Sequence, residues 1–421
     1  EAATGEIVAY TDDDARPDRH WLQYLAHALM TSDHAAMGGP NIPPPGDPPL
    51  AEAVANAPGG PLHVLIDDRL AEHIPGCNMA FRRSALAAIG GFDPIYRSAG
   101  DDVDACWRIQ QQGWTIGFHA GAMVWHHRRG SIRMYWKQQQ GYGKAEALLE
   151  RKWPERYNAL GHLAWLGRIY GRGLTLALGR RVGLIYGGSG GREPFQRLYQ
   201  PTAGLLASLP LMPEWYLLLG ALAGLGFLGL LWPPLLVAWL ALLVGVGIVA
   251  AQAVRSGIAT DFRRPGRSTG VVLRLKAATI LLHVMQPLAR LQGRLARGLT
   301  PWRRRGRGGL ASPLPHTETR WSETWLAPEA WLEELSSRLH GTGAVVLAGG
   351  PFDGWDLEVR GGLLGGARLR IAVEEHGAGA QLVRYRIWAK ASATAVGVAL
   401  GLFAVAAWAA ADSAIVVALA L

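Results

Sequence analysis

Two long apolar runs joined by a Pro-Pro pair restrict the folds open to this chain more than any other feature. Residues 215–232 carry no charge, Pro233 and Pro234 follow, and residues 235–254 are again apolar. A helix of about 20 apolar residues spans the hydrocarbon core of a bilayer. The pattern therefore predicts a transmembrane helical hairpin, and the alternative is a buried hairpin of a soluble protein.

Arginines on both sides of the hairpin indicate its orientation. Arg192 and Arg197 precede it, and Arg255, Arg263 and Arg264 follow it. Because Lys and Arg near transmembrane ends stay on the cytoplasmic side, both flanks are predicted to lie in the cytoplasm. We therefore expect a multi-pass protein of the cytoplasmic (inner) membrane whose soluble parts face the cytosol.

A block of arginines follows further along the chain. Residues 290–307 contain seven arginines and no acid, and such blocks favour anionic partners. Beside two apolar spans, an anionic lipid surface fits this block best, and residues 270–298 form an amphipathic segment suited to the membrane plane. Nucleic acid is the weaker alternative, because aromatic residues do not alternate with the arginines. We expect no nucleic-acid partner.

Composition divides the chain into six predicted segments. They are a soluble α/β unit (1–155), a helical juxtamembrane linker (156–212), the hairpin (213–254), a basic amphipathic cytoplasmic segment (255–312), a small cytosolic α+β domain (313–390) and a truncated transmembrane segment (391–421).

Hydrophobic periodicity predicts local structure within the two soluble units. In the first unit we expect a strand over 6–10, helices over 18–30 and 101–113, and a Pro- and Gly-rich loop or lid over 38–61. In the second we expect a helix over 328–339 and strands over 344–348, 355–359, 368–373 and 381–388.

The cysteine content and the two ends of the chain lead to two further expectations. Cys77 and Cys106 are the only cysteines, which implies no disulfide framework and suits a cytosolic location. The sequence starts at Glu1 directly before a strand and ends within an apolar run. We therefore expect a fragment of a longer protein.

Three consecutive acids follow the first predicted strand. Asp12, Asp13 and Asp14 repel one another unless a cation neutralises them. A hard divalent ion such as Mn²⁺ or Mg²⁺ with oxygen ligands does so, and Asp12 and Asp14 are spaced to face one ion. The alternative is a solvated loop with a helix cap at Asp18.

Two later clusters also carry chemistry. Asp101 and Asp102 open a predicted helix, where one carboxylate can act as a general base or merely cap the helix. His126 follows a predicted strand and can complete a mixed Asp/His metal site. Arg128 and Arg129 come next and can bind phosphate.

In this order, the segments resemble the second half of the catalytic domain of family 2 glycosyltransferases, which have the GT-A fold. The resemblance covers residues 5–155 and includes the strand 76–82 and the Gly-Gly-Phe-Asp sequence at 90–93. It implies that Asp12, Asp13 and Asp14 form the metal–diphosphate motif. It also implies that Asp102 is the catalytic base.

Other residues receive roles from the same resemblance. His126 resembles the metal-binding histidine of galactofuranosyl transferases, and Arg128 and Arg129 are expected at the diphosphate. The acceptor side is expected to include Gly76, Cys77, Asn78, Asp101 and Trp107.

The resemblance implies an inverting, metal-dependent, hexosyltransferase-like enzyme that uses a nucleotide-sugar donor. The expected fold is a partial GT-A domain (α/β, Rossmann-like, mixed sheet) with transmembrane helices and a small α+β domain. Residues 138–142 lack the Arg and Trp of the processive motif, which favours transfer of one or few sugars. A membrane location favours a glycan or lipid-linked acceptor of the cell envelope.

The family's nucleotide-binding strands lie before the metal motif, so the resemblance implies that this stretch alone is inactive. The alternative from another class is a non-catalytic membrane scaffold that keeps a degenerate transferase fold.

Overall fold

A computed structural model describes residues 3–158, 160–163, 165–166, 168–170, 212–262, 264–303, 314–350, 352–362 and 365–421. The described chain forms two compact units. Unit 1 comprises Glu1–Leu149, Trp165–Phe227 and Leu236–Arg297, and unit 2 comprises Glu150–Ala164, Leu228–Leu235 and Gly298–Leu421. Arg192, Arg197 and Arg263, most of the predicted linker and residues 304–307 of the arginine block lie outside the described residues.

Unit 1 contains a seven-stranded mixed sheet and a three-stranded sheet. Their orders are β1-β7-β3-β8-β6-β5-β10 and β2-β9-β4. The strands are β1 Ile7–Tyr10, β2 Ala15–Pro17, β3 Ala36–Gly38, β4 Asn41–Ile42, β5 His63–Leu65, β6 Leu70–His73, β7 Met79–Arg82, β8 Ile116–Phe118, β9 Val124–His126 and β10 Arg168–Tyr170.

Five helices accompany these sheets. They are α1 Trp21–Met30, α2 Pro49–Ala55, α3 Arg83–Ala88, α4 Asp101–Gln111 and α5 Ile132–Lys152, the last of which ends in unit 2.

The large sheet is buried on both faces because successive strand residues point to opposite sides. In β7, Met79 and Phe81 join a core with α3 and α4, whereas Ala80 joins a core with α1. Both cores consist of apolar side chains, and Phe81 is 0% exposed. Helices on both faces of a mixed sheet confirm the predicted α/β class.

One predicted loop in this unit is partly wrong. The stretch 38–61 begins in β3 and contains β4 and the seven-residue helix α2. Pro48 and Pro49 lie at the start of α2, where a proline is compatible with a helix because the first N–H groups need no partner within it. The Pro- and Gly-rich composition predicts a loop, but here two of the prolines begin a helix.

Three further helices of unit 1 are apolar: α6 Trp215–Leu228, whose last residue is assigned to unit 2, α7 Val237–Ile258 and α8 Thr269–Ala296. Among the described residues, two helical segments are long and apolar enough to cross a membrane, Pro233–Ile258 and Thr269–Ala296. Helices α6 and α7 lie on either side of the Pro-Pro pair, as the predicted hairpin requires, but α6 has 14 residues and is shorter than these spans. That the hairpin crosses a membrane stays a prediction. Because α8 also meets the criteria for a span, its predicted position in the membrane plane stays a prediction.

Unit 2 contains a five-stranded antiparallel sheet in the order β11-β15-β14-β13-β12. Its strands are β11 His316–Ser322, β12 Val345–Ala348, β13 Leu357–Arg360, β14 Gly365–Glu375 and β15 Gln381–Ala391, and its helix is α9 Pro328–Gly341. Leucines of α9 pack on Val346 and Leu357. The predicted α+β elements are present, and β11 was missed.

The last part of unit 2 is helical and apolar. α10 Ala393–Ala411 begins directly after β15, and α11 Ile415–Ala420 follows. The turn between α6 and α7, which belongs to unit 2, packs on these helices: Trp232 donates its indole N–H to Asp412 Oδ2 at 3.0 Å and meets Trp408 edge-on. The end of α10 is therefore held beside the tip of the predicted hairpin.

Candidate active site

The acidic run lies directly beside His126. Asp12–Asp14 connect β1 to β2, and β2 pairs with β9 so that Ala15 lies opposite His126. The Nε2 atom of His126 is 2.9 Å from Asp14 Oδ1 and 3.5 Å from Asp12 Oδ2. Strand pairing thus brings together residues that are more than a hundred positions apart.

Two arginines that follow β9 continue this cluster. Arg129 Nη1 is 3.2 Å from Asp14 Oδ2, and its side chain is 40% exposed. Arg128 donates to His126 Nδ1 at 2.7 Å and to Asn41 Oδ1 at 2.8 Å. Arg128 is therefore bound within the protein, whereas part of the Arg129 guanidinium faces solvent.

The electrostatics of the cluster favour a bound cation. Burial raises the pKa of Asp12, and the neighbouring charges of Asp14, Asp102 and Asp13 raise it further. Burial and the charge of Arg128 lower the pKa of His126 to about 4. At neutral pH the imidazole is therefore uncharged, and a divalent ion would relieve the carboxylate repulsion.

The residues present fit a hard divalent cation. Ligand atoms of Asp12, Cys77 and His126 all lie within 4.8 Å of one another. Burial raises the pKa of the Cys77 thiol, so it stays protonated, and the carboxylates of Asp12 and Asp14 with His126 are the better ligands for Mn²⁺ or Mg²⁺.

His126 needs a change of tautomer before it binds a cation. Arg128 donates to Nδ1, so Nε2 carries the proton and faces Asp14. For Nε2 to serve as a ligand, the proton would have to move to Nδ1, and Arg128 would have to release that nitrogen.

Asp102 occupies the first turn of α4 and accepts hydrogen bonds from two backbone N–H groups, and His73 lies close to it. The N–H of Val103 donates to Oδ1 at 2.8 Å, and the N–H of Gly76 donates to Oδ2 at 3.1 Å. His73 Nε2 lies 3.5 Å from Oδ2, and the Asp102 side chain is 22% exposed. Asp102 is thus fixed in place and still open to solvent.

These donors set the charge of Asp102. Burial acts to raise its pKa, but hydrogen bonds from His73 and from the N–H groups of Gly76 and Val103 outweigh burial and lower it. The pKa of Asp101 is instead raised by burial and by the charge of Asp102. Asp102 is therefore a carboxylate at neutral pH and able to accept a proton.

The other expected acceptor-side residues lie at different depths. Asn78 is fully buried, accepts from the Trp21 indole at 2.7 Å and donates to the carbonyls of Pro40 and Ala122. Trp107 is also 0% exposed. Both side chains support the site from within the core, whereas Gly76 donates directly to Asp102.

Several side chains near the site were not anticipated from the sequence. They are His73, Asn41, Trp165 and Tyr142. Burial and then the charge of Asp102 raise the pKa of Tyr142 to about 12, so its phenol keeps its proton. The available signal for His73 was the polar Glu72-His73 pair ending an otherwise apolar strand.

A loop borders the cavity beside β9. Gly59, Gly60 and Pro61 line it together with residues 126–129. Gln139 of α5 donates to the carbonyl of Gly59 at 3.0 Å, and Tyr135 donates to that of Pro58 at 2.6 Å. Helix α5 therefore fixes the wall that faces the two arginines.

Comparison with known proteins gives a family match over more than half of the chain. The family described as "Glycosyl transferase family group 2" matches residues 7–250. The chain is 28% identical over 206 residues to the "Pre-mycofactocin glycosyltransferase" of Mycobacterium tuberculosis, in strains CDC 1551 and H37Rv. That similarity covers 43% of this chain and 42% of the relative.

A second similarity is shorter. The "Probable glycosyltransferase YdaM" of Bacillus subtilis is 28% identical over 71 residues, which is 17% of this chain and 16% of that protein. The chain therefore matches less than half of the length of each of these curated relatives.

Proposed function

The chain belongs to the glycosyl transferase family group 2, and from this membership we propose that it moves a sugar from a nucleotide-diphosphate donor to an acceptor hydroxyl. The transfer inverts the anomeric carbon, because one base and one leaving group act on opposite sides of that atom. The observation that carries the proposal is that an ionised, hydrogen-bonded Asp102 lies near the Asp12–Asp14–His126 cluster. Its charge contributes to the raised pKa of Asp12.

Asp102 serves as the base in this proposal. As the acceptor oxygen bonds to C1 of the sugar, its proton passes to the Asp102 carboxylate. The bond between C1 and the diphosphate oxygen breaks at the same time, and the leaving nucleotide diphosphate keeps that electron pair. The 22% exposure of the Asp102 side chain leaves it open to such an acceptor.

The opposite side of the site holds the leaving group. Asp12, Asp14 and His126 would bind Mn²⁺ or Mg²⁺, which when bound neutralises charge on the diphosphate. Asp13 lies beside them. Arg129 is partly free, and Arg128 becomes available once it releases His126, so both arginines add positive charge for phosphate oxygens.

We place the acceptor on the side of the site formed by Gly76, Cys77 and Asp101, with Asn78 and Trp107 supporting them from the core. The acceptor class is a glycan or a lipid-linked sugar of the cell envelope. Two segments suited to crossing a membrane support this assignment, since an enzyme anchored there meets such acceptors at high local concentration.

The proposed location is the cytoplasmic membrane, with the catalytic domain in the cytosol. Arg255 in the last turn of α7 and Arg264 after that helix support this orientation. The acceptor named for the mycobacterial relative does not carry over at 28% identity across 42% of that protein.

The test is sugar transfer by the full-length protein in lipid nanodiscs, screened over common nucleotide sugars with Mn²⁺ or Mg²⁺. Asp102→Asn is compared with Asp33→Asn, which changes an exposed carboxylate of the same unit. We expect metal-dependent turnover in the wild type, loss of about 100-fold or more in Asp102→Asn, and normal turnover in Asp33→Asn. NMR of the product assigns the anomer.

No turnover with any donor, in a folded and inserted protein, would contradict the proposal and favour the scaffold alternative. Full activity of Asp102→Asn would remove Asp102 as the base.

A further inference from the structure

His73 is a buried side chain beside Asp102 for which the proposed mechanism gives no role. It is the last residue of β6, and its side chain is 8% exposed. Its Nε2 atom lies 3.5 Å from the Asp102 carboxylate, although the two residues are 29 positions apart and belong to different elements. The contact is therefore made by tertiary packing.

Aromatic packing fixes the orientation of the His73 ring. The Trp165 indole lies against it, with ring centroids 5.5 Å apart and planes inclined by 34°. Trp165 in turn packs on the buried Trp107, with centroids 5.9 Å apart. Rotation of the imidazole away from Asp102 would break the first of these ring contacts.

The donors around Asp102 are unequally shared between its two oxygens. Oδ2 faces both the Gly76 N–H and His73 Nε2, whereas among the described residues Oδ1 accepts one bond, from Val103. A carboxylate oxygen has about two lone-pair sites. His73 Nε2 has no hydrogen-bond partner within the described residues, and Oδ2 is the acceptor that it faces at 3.5 Å. Oδ1 is therefore the oxygen that keeps a site for an incoming proton.

We propose that His73 is a positioning residue for Asp102: it donates to Oδ2 and thereby leaves Oδ1 as the oxygen that takes the acceptor proton. The inference rests on the proposed function of Asp102 as the base. Without this donor, the carboxylate is free to rotate about its Cβ–Cγ bond, and the basic lone pair no longer has one direction. A misplacement of about 1 Å can reduce a rate about 100-fold.

The experiment compares His73→Phe, which keeps a ring against Trp165 but has no donor, with His73→Gln, which keeps an N–H donor. Activity and thermal unfolding are measured on the full-length protein in nanodiscs. We expect His73→Phe to lower kcat by about 10-fold to 100-fold with the donor KM unchanged. His73→Gln should recover a large part of kcat.

The matched control is His119→Phe, since His119 lies in the same unit but packs on Tyr24. If His73→Phe does not fold, His73→Leu provides a second variant without a donor. A wild-type kcat in a donor-free variant would overturn the proposal, and so would a glutamine variant as slow as the phenylalanine one. Inactive wild type, or an active Asp102→Asn, would instead contradict the proposed function itself.

Discussion

At the scale of single residues, the carboxylates of the site differ in what surrounds them. Asp102 accepts hydrogen bonds that lower its pKa, whereas Asp12 is surrounded by other carboxylates that, after burial, raise its pKa. In the proposed mechanism these opposite shifts suit different roles, one carboxyl group as a proton acceptor and the other as a cation ligand.

The metal assignment predicts a contrast between neighbouring acids. Asp14 contacts both His126 and Arg129, whereas Asp13 is exposed and less well placed for an ion. We expect Asp14→Asn to weaken Mn²⁺ binding by at least about tenfold and Asp13→Asn to leave it nearly unchanged. Electron paramagnetic resonance of free Mn²⁺ during titration measures both, and equal losses would contradict the assignment.

A second residue-scale prediction concerns stability in acid. Burial, and then the charge of His73, lower the pKa of His63 to about 3, below its ordinary value of about 6.5. As pH falls from about 6.5 towards 3, the unfolded chain gains a proton that the folded chain does not, so stability falls. The loss is up to about 1.4 kcal/mol per pH unit.

His63→Phe should therefore show a smaller difference in thermal midpoint between pH 7.5 and pH 5 than the wild type shows. An unchanged difference would mean that His63 is protonated in the folded protein.

Local sequence patterns predicted some of the elements that carry this site. The acidic run after β1, the helix that starts at Asp101 and the strand that ends at His126 are local features, and the sequence pattern predicts each of them. The distances from His126 to Asp12 and Asp14 depend on the pairing of β2 with β9, which the sequence analysis did not predict. His73 and Tyr142 approach Asp102 from other elements, and no local pattern marks such contacts.

At the scale of elements, two glycines let α5 and α8 touch. A Cβ atom at Gly143 would lie 2.2 Å from the carbonyl oxygen of Arg290, and one at Gly293 would lie 2.2 Å from that of Gln140. Gln140 also donates to Gln292 at 2.6 Å across the same crossing. The backbones of a catalytic-domain helix and a candidate span are thus in direct contact.

Gly143→Ala should separate these helices. The added methyl group meets backbone that cannot move cheaply, so we expect a loss of about 1–3 kcal/mol. Gly141→Ala is the matched control two residues earlier, where the nearest atom is 3.9 Å away, and it should be neutral or stabilising by up to about 1 kcal/mol. Thermal unfolding in nanodiscs measures both, and an equally stable Gly143→Ala would contradict the crossing.

Elements with strong periodicity were predictable, and two others were not. The helix at 101–111 and the strands of the second sheet follow apolar patterns. Strand β11 was missed because six of its seven residues are exposed and mostly polar, so its conformation comes from pairing with β15. Helix α2 was not predicted because Pro48 and Pro49 lie at its start.

At the scale of the whole molecule, the two arms of the hairpin differ in length. Helix α7 has 22 residues and α6 has 14, which correspond to about 33 Å and about 21 Å at about 1.5 Å per residue. A hydrocarbon core is about 30 Å thick. The shorter arm therefore needs the apolar turn that follows it to complete a crossing.

This geometry predicts where the tip lies. Leu230, in the turn of the hairpin, is 74% exposed. The hydrogen bond between Trp232 and Asp412 places this turn and the end of α10 at one level. We expect Leu230→Cys and Ser413→Cys to react with a membrane-impermeant maleimide from the outer face of intact cells. Arg255→Cys should react only after lysis.

The two native cysteines are buried, so they give little background labelling. Reaction of Leu230→Cys only after lysis would show that the hairpin re-enters on the cytoplasmic side.

The hydrogen bond between Trp232 and Asp412 also sets an order of biosynthesis. Its partners are 180 residues apart, so at about 5–20 residues per second the ribosome needs about 10–40 s to deliver the second one. During that interval the Trp232 indole has no Asp412 carboxylate to bind, while the five-stranded sheet is synthesised. This hydrogen bond can therefore form only after the five-stranded sheet has been translated.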